Sequence, residues 1–170
     1  MTSPPNQDDW VALTTSPLPL AQVASWPVLP GCGAVVMFAG TVRDHAEGRP
    51  GVTSVEYEAY AEAALHLLRE VARELRGRWP VLGRIALLHR AGFLEPGEVS
   101  VVVAVSSPHR AEAFSAARYG IDSIKARAPI WKRETWEGGQ AWALDAHPLE
   151  GATSADLSEH GRMSPLGSRQ

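Results

Sequence analysis

The chain has 170 residues, 45% of them hydrophobic, which suits one domain with a real core and room for a small appended lobe. A net charge of −3 gives no general attraction for nucleic acid or an anionic membrane, and no apolar run is long enough to span a bilayer. One cysteine, Cys32, excludes an intrachain disulfide, no Cys/His cluster has zinc-site spacing, and the start MTSPPNQDDW has neither the basic nor the apolar part of a signal peptide, so a cytoplasmic protein with no bound metal is expected.

Residues 1–30 are rich in Pro and polar side chains, with Leu18, Leu20, Val23 and Trp26 as scattered anchors, and read as a loosely ordered lead-in with room for one short strand. Cys32 reads as a small apolar residue packed before a strand, with a nucleophile as the alternative. AVVMFAGTV (34–42) is nearly all apolar before Gly40, the pattern of a strand buried on both faces. DHAEGRPG (44–51) is a loop, and VTSVEYEAY (52–60) alternates Val55, Tyr57 and Ala59 against Ser54, Glu56 and Glu58 as a half-exposed strand does.

The period then changes. Ala61, Ala64, Leu65, Leu68, Val71, Ala72 and Leu75 recur at helical spacing, and Pro80 ends the helix. RIALLHRAG (84–92) returns to strand, Pro96-Gly97 suits the centre of a type II turn, and VSVVVAV (99–105) is a central strand. Ser107-Pro108 opens a second helix whose apolar stripe is Phe114, Ala117, Ile121, Ile124 and Ala128, and Pro129 closes it. IWKRETW (130–136), Gly138-Gly139 and QAWAL (140–144) form a closing hairpin. The order β-β-α-β-β-α-β-β predicts an α+β fold with two helices on a mainly antiparallel sheet, in a domain over 31–144, followed by a polar, mobile tail over 145–170.

Chemistry concentrates between Pro108 and Arg133. Arg110, Arg118, Lys125, Arg127, Lys132 and Arg133 face only Glu112 and Asp122 there, a local charge of +4 in a chain of −3. Such a reversal suits an anionic ligand or an acidic tail, although any one of these cations could equally serve a solvated helix face. Lys125 and Lys132 are the only lysines, and lysine differs from arginine in having an amine that can lose its proton. His109 and Arg110 occupy the first turn of the second helix, where cations oppose the helix dipole, so phosphate binding explains them better than stability does. A straight helix separates His109 from Lys125 by ~24 Å. Two sites, or one site shared across a two-fold dimer, would reconcile them, and the dimer is the simpler reading. Arg43, at a strand end, suits a phosphate or a neighbouring carboxylate equally well. Asp44-His45 reads as a solvated loop pair, and His66 and His89 as structural.

Five strings, GAVVMFAGTVRDH (33–45), VEYEAY (55–60), HRAGFLEPGE (89–98), SSPHRAEAF (106–114) and KARAPIWKRE (125–134), resemble in order and spacing the large, catalytic subunit of molybdopterin synthase, the MoaE family. The resemblance covers about residues 33–137. It implies an α/β hammerhead fold with an added antiparallel β lobe. It also implies sulfur transfer to cyclic pyranopterin monophosphate, giving the molybdopterin dithiolene for molybdenum cofactor biosynthesis. The implied partners are a small ubiquitin-like subunit with a C-terminal thiocarboxylate and a second large subunit, in a heterotetramer, with no resident cofactor. By motif match, Lys125 and Lys132 correspond to the catalytic lysines. Thr41, Val42, Arg43, His109, Arg110, Arg133 and Glu134, with both lysines, correspond to the substrate-binding set, His109 and Arg110 coming from the neighbouring large subunit. The competing readings are a module that binds a phosphorylated ligand or acidic peptide without chemistry, and a weaker one, a single-stranded RNA binder, for which Tyr57 and Tyr60 beside glutamates are a poor platform.

Overall fold

A computed structural model describes residues 2–46 and 48–143. In chain order its elements are β1 (Asp9–Thr14), α1 (Leu20–Ser25), β2 (Ala34–Thr41), β3 (His45–Ala46), β4 (Arg49–Pro50), β5 (Val52–Ala59), α2 (Ala61–Arg78), β6 (Ile85–Arg90), β7 (Gly92–Leu94), β8 (Val99–Ser107), α3 (Arg110–Arg127), β9 (Ile130–Trp136) and β10 (Gly139–Trp142). The expected α+β class holds, with the strands divided into two four-stranded sheets. The first runs β1-β6-β8-β2 and the second β10-β9-β5-β7, with β3 and β4 as a small ribbon between β2 and β5 in the chain.

Strand periodicity accounts for the layers. On β6 and β8 the odd-numbered Ile85, Leu87, Val101, Val103 and Val105 turn to one face and meet Leu68, Val71 and Leu75 of α2 and Ile121 and Ile124 of α3. The even-numbered Ala86, Leu88, Val102 and Ala104 meet Trp10, Leu18 and Val23 on the other face. Helices on both sides explain why VSVVVAV is apolar throughout. The second sheet has its own small core of Val42, Val52, Val55 and Leu94.

The lead-in holds the one short strand that its sequence allowed, and a short helix besides. Residues 9–25 form β1 and α1, and β1 adds to the edge of the first sheet by pairing in parallel with β6, Asp9 opposite Ile85 through Thr14 opposite Arg90. Two arginines from later in the chain hold it. Arg76 of α2 donates through Nε to Asp9 at 3.0 Å and through Nη1 to the Leu82 carbonyl at 2.7 Å, and Arg84 donates to the Trp26 carbonyl at 2.6 Å while stacking over the Trp26 ring. Trp10 meets Trp26 edge to face at 5.6 Å. These partners lie far away in sequence, so the lead-in's local composition did not disclose them. The predicted tail over 145–170 lies outside the described residues.

Two apolar assignments also change. β2 is the outer strand of its sheet, and Val35, Met37 and Phe38 are 37%, 40% and 36% exposed instead of buried on both faces. Phe114 is 63% exposed. α3 approaches the sheet through Ala113, Ala116, Ala117 and Gly120, where a Cβ on Gly120 would sit 3.1 Å from Val103 Cγ1. So close an approach requires small side chains, and Phe114 falls beside that contact stripe. The turns behave as read: Gly97 has φ +90° with Glu98 N–H donating to the Glu95 carbonyl at 3.0 Å, and β9 and β10 form the closing hairpin.

Candidate active site

The site lies where the chain leaves the first sheet's helix layer and enters the second sheet. α3 ends with the Ala128 N–H on the Ile124 carbonyl, Pro129 stops it, and Ile130 starts β9 opposite Ala59 of β5. Lys125 therefore stands in the last helical turn and Lys132 on the strand just beyond, seven residues on in sequence and across a single bend. Both lysines line two adjoining cavities, which share Tyr57, Ser100 and Val101 as well.

The first cavity, of about 320 Å³, is walled by Thr41, Val42, Arg43, His45, the two lysines and Glu134. Its rim depends on an irregularity in β2. Gly40 pairs with Val101 and Thr41 with Val99, so the register shifts between them, and Ser100 donates its hydroxyl to the Gly40 carbonyl at 3.2 Å. A Cβ at Gly40 would come within 2.7 Å of Val101 Cγ1. Beyond the shift, Val42 exchanges hydrogen bonds with Glu98 and Gly97, which anchors the segment carrying Arg43. The second cavity, of about 420 Å³, has a more apolar wall made by Ile124, Ala126, Ala128, Ile130 and Ala143, with His89 among its polar members.

Pairing sorts the cations of the basic stretch. Arg118 is held by Asp122, Arg127 by Glu70 and Glu74, and Arg133 by Glu56. Lys132 lies 2.9 Å from Glu134, whose side chain is 5% exposed. Among the described residues Arg43, Arg110 and Lys125 have no carboxylate partner, so their charge is available to an anion. Of the residues predicted for the site, Thr41, Val42, Arg43, Lys125, Lys132 and Glu134 come together. Arg133 does not line either cavity: adjacent strand residues point to opposite faces, and its guanidinium meets Glu56 and the Trp142 ring instead. His109 and Arg110 stand at the other end of the continuous 18-residue α3, exposed and outside both cavities.

Tyr57, His89 and Ser100 line the site without having been marked from sequence as its members. Alternation places Tyr57 opposite Lys132 across β5 and β9, and places His89 on the same face of β6 as Ile85 and Leu87. The signal was present in that period, but nothing local showed which end of the strand would meet Lys125. Asp44 and His45 are exposed and hydrogen-bonded at 2.7 Å, a bond that lowers the Asp44 pKa, but His45 starts the β3–β4 ribbon where a plain loop was expected, and it also edges the first cavity. No three His, Cys, Asp or Glu side chains among the described residues gather as a metal site requires.

The family model for MoaE protein matches residues 13–127, more than half of the chain. The chain belongs to the MoaE family. A molybdopterin synthase catalytic subunit from Nostoc sp. is 42% identical over 141 residues, covering 83% of this chain and 85% of that protein. The X-ray structure of molybdopterin synthase from Staphylococcus aureus superposes with a TM-score of 0.73 at 36% identity, over 78% of this chain and 96% of that one. A complex of subunits 1 and 2 of molybdopterin-converting factor from Helicobacter pylori shares the fold, with a TM-score of 0.67 at 18% identity, over 86% of this chain and 97% of that one. The MoaE match starts at residue 13, inside β1, which agrees with the lead-in being part of the folded domain.

Proposed function

We propose that this chain is the catalytic subunit of a molybdopterin synthase, moving sulfur from the thiocarboxylated C-terminus of a small ubiquitin-like subunit to cyclic pyranopterin monophosphate. The observation that carries the reading is the convergence of Lys125 and Lys132 on one pair of cavities beside the Thr41–Arg43 segment. The MoaE family membership supports it, as does the two-subunit complex described for the Helicobacter pylori relative. Residues at this junction suit two ligands that must meet: a phosphorylated pterin in the polar cavity with Arg43, and a narrow peptide tail in the more apolar one.

In this reading the chain's own side chains do the work, without a metal. Arg43 holds the substrate phosphate by charge-assisted hydrogen bonds, with His109 and Arg110 of a second copy completing the grip. Lys125, with no carboxylate to pair with, serves as general acid–base or forms a transient link with the tail carbonyl. Lys132 stabilises the thiocarboxylate and the oxyanion left as sulfur departs, and Glu134 keeps its ammonium aimed there. The exposed apolar residues Val35, Met37, Phe38 and Phe114 support burial against a second large subunit. A cytoplasmic setting suits a thiocarboxylate chemistry and a chain with a single cysteine.

The test is turnover of the cyclic precursor with thiocarboxylated small subunit, read as dithiolene product by mass. Lys125→Arg keeps the charge but removes the titratable amine, and is expected to lower kcat by roughly 10²–10⁴-fold. Near-normal turnover in that variant would eliminate the acid–base and covalent roles, and binding of both ligands without product by the wild type would leave only a binding module.

A further inference from the structure

His89 is the last residue but one of β6, on the face that Ile85 and Leu87 bury against the helices, yet it borders the larger cavity together with Lys125 and Lys132. It is 6% exposed. Its Nδ1 lies 2.9 Å from the Arg90 carbonyl oxygen. A carbonyl only accepts, so Nδ1 carries the proton, and in the neutral ring Nε2 is an acceptor. That acceptor has no hydrogen-bond partner among the described residues. Tyr57 packs against the ring edge to face, centroids 5.5 Å apart at 71°, which fixes the ring plane.

The surroundings keep the ring neutral. Burial first, and then the Lys125 charge, bring its pKa down to about 4 against the opposing Arg90 hydrogen bond. The charged and titratable groups around it come from every neighbouring element: Tyr57 from β5, Asp122 and Lys125 from α3, and Lys132 from β9. Nε2 is not among the buried side-chain atoms left without a partner, so with no partner in the chain it keeps access to the cavity, where a ligand N–H can donate to it. The remaining wall is made of small or aliphatic side chains, among them Ala126, Ala128 and Ala143, with Arg43 absent. A groove of that kind fits an extended chain of very small residues, whose desolvated backbone N–H groups would each require an acceptor.

We infer that His89 Nε2 accepts a hydrogen bond from a backbone N–H of an extended, glycine-like C-terminal peptide lying in this cavity, and so sets the peptide's terminal carbonyl against Lys125 and Lys132. This rests on the sulfur-transfer reading above, since the peptide is the small subunit's tail. His89 is then a binding residue that discriminates the tail from other anions, which the lysines alone would not do. A donor on the pterin ring is the other possible source of such an N–H.

The experiment compares wild type with His89→Phe, which keeps a ring for Tyr57 but removes the acceptor, and His89→Gln, whose amide oxygen restores one at similar reach. The His89→Phe variant is expected to raise KM for the thiocarboxylated small subunit roughly 10-fold, to change KM for the pterin less than about 2-fold, and to be largely rescued by His89→Gln. Calorimetric Kd for the small subunit with an ordinary carboxylate should weaken in parallel, and this readout needs no turnover, so it separates failure of this contact from failure of the sulfur-transfer reading. Because His89→Phe can disturb folding, the wild-type chain is also titrated with small subunits carrying N-methylglycine at either of the last two positions. One of the two should lose affinity by a similar factor. Unchanged small-subunit KM and Kd, no loss with either N-methylglycine, or a rise in pterin KM instead, would overturn the assignment. So would a limb between pH 5.5 and 7.5 in the kcat/KM profile that disappears in His89→Gln, because a titrating His89 would be an acid–base group.

Discussion

Glu134 shows how one side chain turns a surface lysine into a positioned one. Its carboxylate is almost wholly buried and sits 2.9 Å from Lys132 Nζ, so removing its charge takes away a close counter-charge from a half-buried ammonium. Glu134→Gln is expected to lower kcat/KM by roughly 10-fold and stability by about 1–3 kcal/mol, measured by steady-state kinetics and urea denaturation. His89 provides a pH signature at the same scale. Its folded pKa of about 4 lies below the ordinary 6.5, so between those values the unfolded chain binds more protons than the folded one. Stability from this residue is complete above pH 6.5, falls as the pH drops through that window, and levels off below 4, with a total of roughly 3 kcal/mol. Equilibrium denaturation from pH 7 to 4 should show a shallower loss for His89→Gln than for wild type.

At the scale of elements, the register shift in β2 ties a backbone irregularity to the first cavity. Thr41, Val42 and Arg43 leave the sheet in the right direction because Gly40 lets the strand close on Val101 before the shift. Gly40→Ala is expected to cost about 1–3 kcal/mol and to weaken substrate binding, seen as a lower urea midpoint with unchanged slope and a raised pterin KM. Elements were also where sequence periodicity read best and where it failed in an instructive way. α2 runs over Ala61–Arg78 as its apolar spacing and Pro80 required, and the type II turn at Pro96-Gly97 and the closing hairpin are present. The stripe on α3 moved off Phe114 because contact distance to the sheet, not hydrophobicity, selects the small residues of a closely packed helix. β2 looked like a central strand because its residues are apolar, although apolar residues at an open sheet edge also suit an interface.

At the scale of the molecule, α3 holds the predicted site residues apart. Its 18 residues keep His109 and Arg110 away from the lysine cavities, so a site using all of them takes the helix start from another copy. Light scattering should give a dimer of this chain. Mixing Lys125→Ala with Arg110→Ala, each inactive alone, should recover up to about a quarter of wild-type turnover after subunit exchange, because one site in each mixed dimer is intact. No recovery would place Arg110 outside the shared site.

The sequence by itself determined the family, through five ordered strings, and most of the strands and helices, through periods that depend only on local geometry. It also marked Lys125 and Lys132 as unusual, because two lysines among 16 cations can be seen without coordinates. Only the tertiary structure decided that β1 joins the first sheet, that Arg133 is occupied by Glu56 while Lys125 has no such partner, and that His89 and Tyr57 border the cavity. Each of those facts depends on groups far apart in the chain meeting through packing, which no local pattern records. The lysines are a matter of composition; what surrounds them is a matter of folding.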